Sequence, residues 1–498
     1  MTSSYSPKVQ KRTLKGHRQP VLCISHPGDH AKYSSTTDAH LHLQHYHPSL
    51  LLSGSEDGTA RLWDLRKRKT AYCMIVPKID ETNDVTAVAF HPSIIDERQS
   101  IRDESGETTI STRTDCMVYA SSGTNVYGYD LRTCTSPIIK TPHLDLSPSF
   151  QCQDEINQLS FSFPKRNKDG SRNYQLAAVD DCGEVHIPSD CIPHNLPSQQ
   201  SLLSSKHTVL HHAEPGSHTI ASCAIFRPRV NGMYVASGGT DCMVKLFDVT
   251  KPKRATSTIH IKPAESENTS QICNPPFIHS LQWSPSGRLL AAGVGDGSCV
   301  ILRGEGNRLV EIGRLGYEQG GHGSAVAAVC FPGFGSCAST KKLSSSTEAE
   351  DRLLISAGND GKILFWDLGG NMIDGGAIDP LLYLGGCSDA TEQVNKQDNE
   401  MQIATQAMKA ASISSSKKGK IKKKGKTNNN QHKTSTTDDD DLFLDDLLPS
   451  PPKVLFQIPH HHKPNWITCS RASSDALPSS VFVADTTNDI SIYSLPAP

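Results

Sequence analysis

Seven times along this chain of 498 residues the same short pattern returns: an apolar run, a tight polar turn, and a second run that alternates in polarity. Residues 51–66 read LLSGSEDGTARLWDLR, and residues 353–368 read LLISAGNDGKILFWDL. Looser copies are VYASSGTNVYGYDLR (118–132), LAAVDDCGEVHI (176–187), YVASGGTDCMVKLFDV (234–249), LLAAGVGDGSCVIL (289–302) and VFVADTTNDISIYSL (481–495). Period-two alternation on either side of a turn such as Asp57-Gly58 is the mark of a β-hairpin. Each hairpin follows one further strand-like run, for example PVLCIS (20–25), EINQLSFS (155–162) and PNWITCS (464–470). A chain of such units is held to a repeat architecture, in which each unit buries its apolar face against its neighbours.

Two units carry a second signature, Gly16-His17 with Trp63-Asp64 and Gly321-His322 with Trp366-Asp367. A Gly-His, a strand, a hairpin and a terminal Trp-Asp in tandem resembles the WD-repeat β-propeller family. The resemblance extends over roughly residues 15–369 and 463–498. It implies an all-β fold, a seven-bladed WD-repeat β-propeller with long disordered insertions. In such a blade the His, the turn Asp, a strand hydroxyl and the Trp indole form a buried hydrogen-bonded chain. In blade one these would be His17, Asp57, Ser55 and Trp63; in blade six, His322, Asp360 and Trp366. Their predicted role is structural, not catalytic.

Seven blades of about 42 residues need only about 300 residues, so the remainder must lie in insertions. A His-rich stretch splits blade one, residues 95–115 split blade two, and a further insertion covers 188–216. The largest runs from 370 to 452 and contains KKGKIKKKGKTNNNQHK followed by DDDDLFLDDLLPSPP. Its composition predicts disorder. The chain therefore divides into residues 1–369 (blades one to six with an N-terminal closing strand), the insert 370–452, and residues 453–498 as the last blade. Only three strands remain after the insert, so residues 8–15 are expected to complete blade seven and close the ring. In blade three, His186-Ile187-Pro188 replaces a terminal Trp-Asp, and proline ends a ladder; the outer part of that blade is left open.

Composition narrows the function classes. Fifty basic residues nearly cancel 52 acidic ones, for a net charge of −2, so bulk charge predicts neither a nucleic-acid nor a membrane partner. No apolar run approaches the roughly 18 residues of a membrane span. The first residues lack the apolar stretch of a signal peptide, and 15 cysteines without a Cys-x-x-Cys pair suit free thiols in a reducing compartment. A soluble intracellular protein, nuclear or cytoplasmic, is expected. The 22 histidines include alternating His40, His42, His45 and His47 and consecutive His460–His462. They lie in insertions without nearby cysteines, so no metal and no cofactor is predicted. Phosphate-loop, nucleophile-elbow and H-E-x-x-H patterns are absent, so no enzyme is predicted.

The family resemblance implies a non-catalytic substrate receptor of the cullin-4 RING ubiquitin ligase. Receptors of that kind dock to its damaged-DNA-binding adaptor, often through a Trp-Asp-x-Arg box. This chain has the box twice, as Trp63-Asp64-Leu65-Arg66 and Tyr129-Asp130-Leu131-Arg132. At the matching place blade four has Thr250 and blade six Gly369. Lys and Arg make up about a tenth of the chain, so both arginines arising by chance is about a one-in-a-hundred event. The adaptor-binding set is thus Arg66, Arg132, Asp64 and Asp130, with an unknown substrate as second partner and a monomer outside the complex. Alternatives are a surface Arg paired locally with its own Asp, and a structural scaffold in a nuclear or ribosome-assembly complex. A propeller hydrolase is a third reading, for which no converging catalytic set is apparent. The seven lysines within 417–426 fit a nuclear import signal, a nucleic-acid tail or a solubilising segment.

Overall fold

The computed structural model describes residues 9–27, 49–78, 83–92, 99–102, 108–111, 117–162, 174–188, 207–214, 216–230, 233–263, 274–332, 351–369, 451–470 and 479–495. The seven hairpins and their preceding strands form seven antiparallel sheets, the blades of a β-propeller. Blade one runs Val21–Ser25, Leu50–Ser55, Thr59–Asp64 and Lys69–Ile75. Blade two runs Ala87–Phe90, Met117–Ser122, Asn125–Asp130 and the short outer Leu144–Asp145. Blades three, four and five follow in the same antiparallel order through 156–211, 221–260 and 278–315.

Hydrophobic side chains explain why the blades form a ring. Among the described residues they gather in seven clusters, and each cluster straddles two neighbouring sheets. Trp63, Leu51 and Val21 of blade one, for example, pack against Phe482, Ala484 and Ile490 of blade seven. Both faces of a blade are covered, so strand interiors read as nearly continuous apolar runs rather than strict alternation, as in LLISAG. Burial of this apolar area, at about 25 cal/mol per Å², is the main stabilising contribution.

The ring closes as the sequence predicts. Gln10–Lys15 pairs antiparallel with Asp489–Ser494, from Gln10 opposite Ser494 to Lys15 opposite Asp489. Three details differ from the sequence reading. Blade three has a full outer strand, His207–His211, drawn from the stretch expected to be an insertion, and Pro188 pairs with His207 at its very end. Proline is tolerated there because it terminates its strand, beyond which no further ladder donor is required. Lys453–Pro459 is the outer strand of blade six, paired with Lys362–Asp367. The insert therefore interrupts blade six itself, and the last blade begins at Pro464. Finally, Ile138–Ile139, which follows the blade two hairpin, pairs in parallel with Cys73 and Met74 on the outer edge of blade one. This strap ties the two blades together. Residues 99–102 and 108–111 form a small hairpin within the expected insertion of blade two. The His40–His47 set, the lysine run 417–426 and the acidic run after it lie outside the described residues.

Candidate functional site

Leu51 pairs with Trp63 and Ser53 with Arg61 across the blade one hairpin. That register sets the buried polar chain. The Trp63 Nε1–H donates to Ser53 Oγ at 2.8 Å, and Ser53 Oγ lies 2.7 Å from His17 Nε2. His17 Nδ1 lies 3.1 Å from Asp57 Oδ2. With Nδ1 protonated, every donor in the chain meets an acceptor. Burial outweighs the pull of Asp57 and holds the His17 pKa below its usual value. Burial opposes ionisation of Asp57 too, but hydrogen bonds from His17, Thr59 and the Arg18 backbone overcome it and hold the carboxyl well below the usual range.

The hydroxyl in this chain is that of Ser53, not of Ser55 as expected from the sequence. At about 3.4 Å per residue, Ser55 stands about 13 Å along the strand from the residue opposite the indole, out of its reach. Its Oγ instead donates to the Gln19 carbonyl at 3.0 Å and accepts from the Asp57 backbone at 3.2 Å. Blade six repeats the arrangement. Trp366 Nε1 donates to Ser356 Oγ at 2.8 Å, Ser356 meets His322 Nε2 at 2.8 Å, and His322 Nδ1 meets Asp360 at 2.9 Å. The glycine before the histidine is required by space: a Cβ on Gly321 would come within 2.4 Å of the Gly316 carbonyl oxygen.

Two further chains escaped the sequence reading. In blade four His212 joins Ser237 at 2.7 Å and Asp241 at 3.1 Å, with Phe247 where the tryptophan would be. In blade seven His460, first of the consecutive histidines, sits 3.1 Å from Asp485 and 2.8 Å from the Tyr493 hydroxyl. For blade four the signal lay in the serine two residues before the strand end, as in LLLSGS, YVASGG and LLISAG; blade seven has Val483 at that place.

Past the terminal Asp, the blades diverge. Each such Asp caps the turn after its strand by accepting the backbone N–H two residues on, as in Arg66, Arg132, Thr250 and Gly369. In blades one and two that residue adds a guanidinium. Arg66 Nε lies 3.2 Å from Asp64 Oδ1 and its Nη2 3.3 Å from Oδ2. Arg132 makes the same fork to Asp130 at 3.0 and 2.8 Å. Burial disfavours ionisation of both carboxylates, but the arginine hydrogen bonds prevail and keep their pKa values below the usual range. The arginine side chains are 64% and 40% exposed, while the aspartates beneath them are 11% and 5% exposed. Each box thus presents a partly exposed planar cation oriented by a buried anion. The strap also sets the boxes' relation to one another, helped by the Tyr129 hydroxyl donating to the Ile75 carbonyl at 3.2 Å.

The WD40 family (WD domain, G-beta repeat) matches residues 8–64, 269–301 and 313–367. Together with seven blades, a closing N-terminal strand and two full Trp-Ser-His-Asp chains, these matches define the class: the chain is a WD-repeat β-propeller, a protein-interaction module. It is similar to the WD repeat-containing protein 53 homolog of Dictyostelium discoideum, with 25% identity over 373 residues covering 72% of this chain and 78% of that protein. Among the described residues no helix is long and apolar enough to cross a membrane.

Proposed function

We propose that the protein is a non-catalytic substrate receptor that docks to the damaged-DNA-binding adaptor of a cullin-4 RING ubiquitin ligase through Arg66 and Arg132. The observation that carries this reading is the matched pair of exposed guanidinium forks in adjacent blades, each held by the Asp two residues before it. Blades four and six cap the same turn with Thr250 and Gly369, so the turn itself has no need of arginine. The strap between the two boxes adds Ile138, half exposed, an apolar contact beside two cations. An interface of this make-up combines an anchoring apolar group with desolvated charge-assisted hydrogen bonds.

The test is binding of purified full-length protein to the purified adaptor. Each arginine, making hydrogen bonds worth about 1.5–3 kcal/mol, should weaken binding by about one to two decades when replaced by alanine. The double variant Arg66→Ala/Arg132→Ala should lose the adaptor while remaining folded by circular dichroism. A folded double variant that binds at wild-type affinity removes the docking assignment and favours the scaffold reading.

A further inference from the structure

Among the described residues blade three has no Trp-Ser-His-Asp chain, and its polar residues are arranged for something else. We infer that it binds one thiophilic divalent cation of the zinc class, with Cys152 Sγ, an Asp180 carboxylate oxygen and His186 Nε2 as protein ligands. All three residues are buried, and their ligand atoms lie within 4.8 Å of one another. The His186 Nε2 to Asp180 Oδ2 distance is 3.1 Å. Tetrahedral zinc, with ligands at about 2.0–2.3 Å, holds them about 3.3–3.7 Å apart, so a small side-chain rotation brings the set to coordination distance. This cluster is distinct from the histidine runs considered in the sequence.

Three separate segments supply the ligands, so the site exists only in the folded blade. A one-turn helix, Ser147–Phe150, ends at Gln151 in the left-handed region (φ 54°), which delivers Cys152 to the blade. Asp180 ends the second strand and His186 lies within the third. The Asp180 carboxylate is fixed by the Glu184 backbone N–H at 3.0 Å and that of Gln153 at 3.3 Å. Glu184 Oε2 stands 3.5 Å from the same His186 nitrogen and is partly exposed, which suits a fourth ligand or a water on the open side. On the far side of the ring, His186 Nδ1 is 3.2 Å from His207 Nε2. Such an outer contact commonly orients a metal-bound imidazole.

The donor set selects the ion. A thiolate with an imidazole and a carboxylate favours zinc-like cations over calcium or magnesium, which take oxygen ligands. Asp180 and Glu184, the latter also 2.9 Å from His211, supply negative charge beside the thiol that a dication would meet. On binding, the S–H bond breaks, its proton leaves to solvent and the sulfur–metal bond forms. The imidazole binds through Nε2 as its Nδ1–H tautomer, which donates to His207 Nε2 while His207 carries its own proton on Nδ1.

The experiment is a titration of the chelator-stripped full-length chain with Co²⁺, followed by optical absorption, then by Zn²⁺ competition. The expected result is a thiolate-to-cobalt charge-transfer band that saturates at one equivalent and is bleached by zinc. Cys152→Ser should abolish the band, and His207→Asn should weaken affinity about 10–100-fold. Replacing His40, His42, His45 and His47 together by asparagine should leave the band intact. A wild-type protein without the band, or Cys152→Ser with an undiminished one, overturns the proposal. If Cys152→Ser fails to fold by circular dichroism, zinc-edge X-ray absorption of the wild type decides: one sulfur at about 2.3 Å supports the site, and an all-nitrogen/oxygen shell overturns it.

Discussion

Blade one and blade six are the two units that carry both Gly-His and Trp-Asp, and inside they are duplicates: indole, serine hydroxyl, imidazole and carboxylate in the same order. Past the terminal Asp they part. Asp64 takes Arg66 from the turn that follows and leaves it largely exposed. Asp367 takes Arg352 from the turn before the hairpin, with Nη2 2.9 Å from Oδ2, and both side chains are buried. The same carboxylate therefore serves as a surface anchor in one blade and as an internal brace in the other. Blade cohesion and partner contact are carried by different residues, so a substitution can be chosen to affect one alone.

The largest effects should come from the features the two blades share. Trp63→Ala and Trp366→Ala each remove a fully buried indole and should cost about 3–5 kcal/mol, read as equally lowered melting temperatures. Markedly unequal losses would show that the two chains are not energetic duplicates.

The arginines test where the blades differ. Arg352→Ala leaves Asp367 buried without its ion partner and should destabilise by about 3 kcal/mol. Arg66→Ala should change stability by no more than about 0.5 kcal/mol. Chemical denaturation of the two variants side by side measures the contrast, and equal losses would erase it.

The hydroxyls test the register. Ser53→Ala strands the Trp63 indole N–H and His17 and should cost about 1–3 kcal/mol. Ser55→Ala removes its bonds to the Gln19 carbonyl and the Asp57 backbone and should cost less, about 1 kcal/mol. The reverse order in a melting series would contradict the Ser53 assignment.

Acid is the gentlest perturbation. His17 has its pKa lowered by folding, so the unfolded chain takes up a proton that the folded one resists as pH falls below about 6.5. Asp57 and Asp360, also lowered, add their own loss as pH falls below the ordinary carboxylate range. Stability should therefore be full near pH 7, decline gradually toward pH 5, and fall more steeply below pH 4. Scanning calorimetry across that range checks the slope. A Tm that rises from pH 7 to 5 would contradict the neutral state of His17.

Much of this was legible in the sequence because strands have a period and turns have preferred residues. The seven hairpins and the Asp-x-Arg boxes are local patterns of that kind, and the closing strand follows from counting the strands left for blade seven. What escaped was non-local. The outer strand His207–His211 is recruited from a polar stretch with weak alternation, and only its pairing with Glu184–Pro188 makes it a strand. Ser53 and Ser55 are two positions apart on one strand face, and only the register against Trp63 separates them. Cys152, Asp180 and His186 come from three segments that become neighbours only when blade three folds. The strap Ile138–Ile139 is a two-residue pairing with no periodicity to read.

The pairing of Gln10 with Ser494 also imposes a schedule on biosynthesis. The strand containing Gln10 leaves the ribosome almost the whole chain ahead of its partner, so during elongation it has no native mate. Throughout that interval it is an open edge, liable to pair with strands of neighbouring nascent chains. Its sequence, QKRTLK, is rich in positive charge, which discourages such premature pairing. The ring therefore closes only once the strand containing Ser494 has been made, long after the strand containing Gln10.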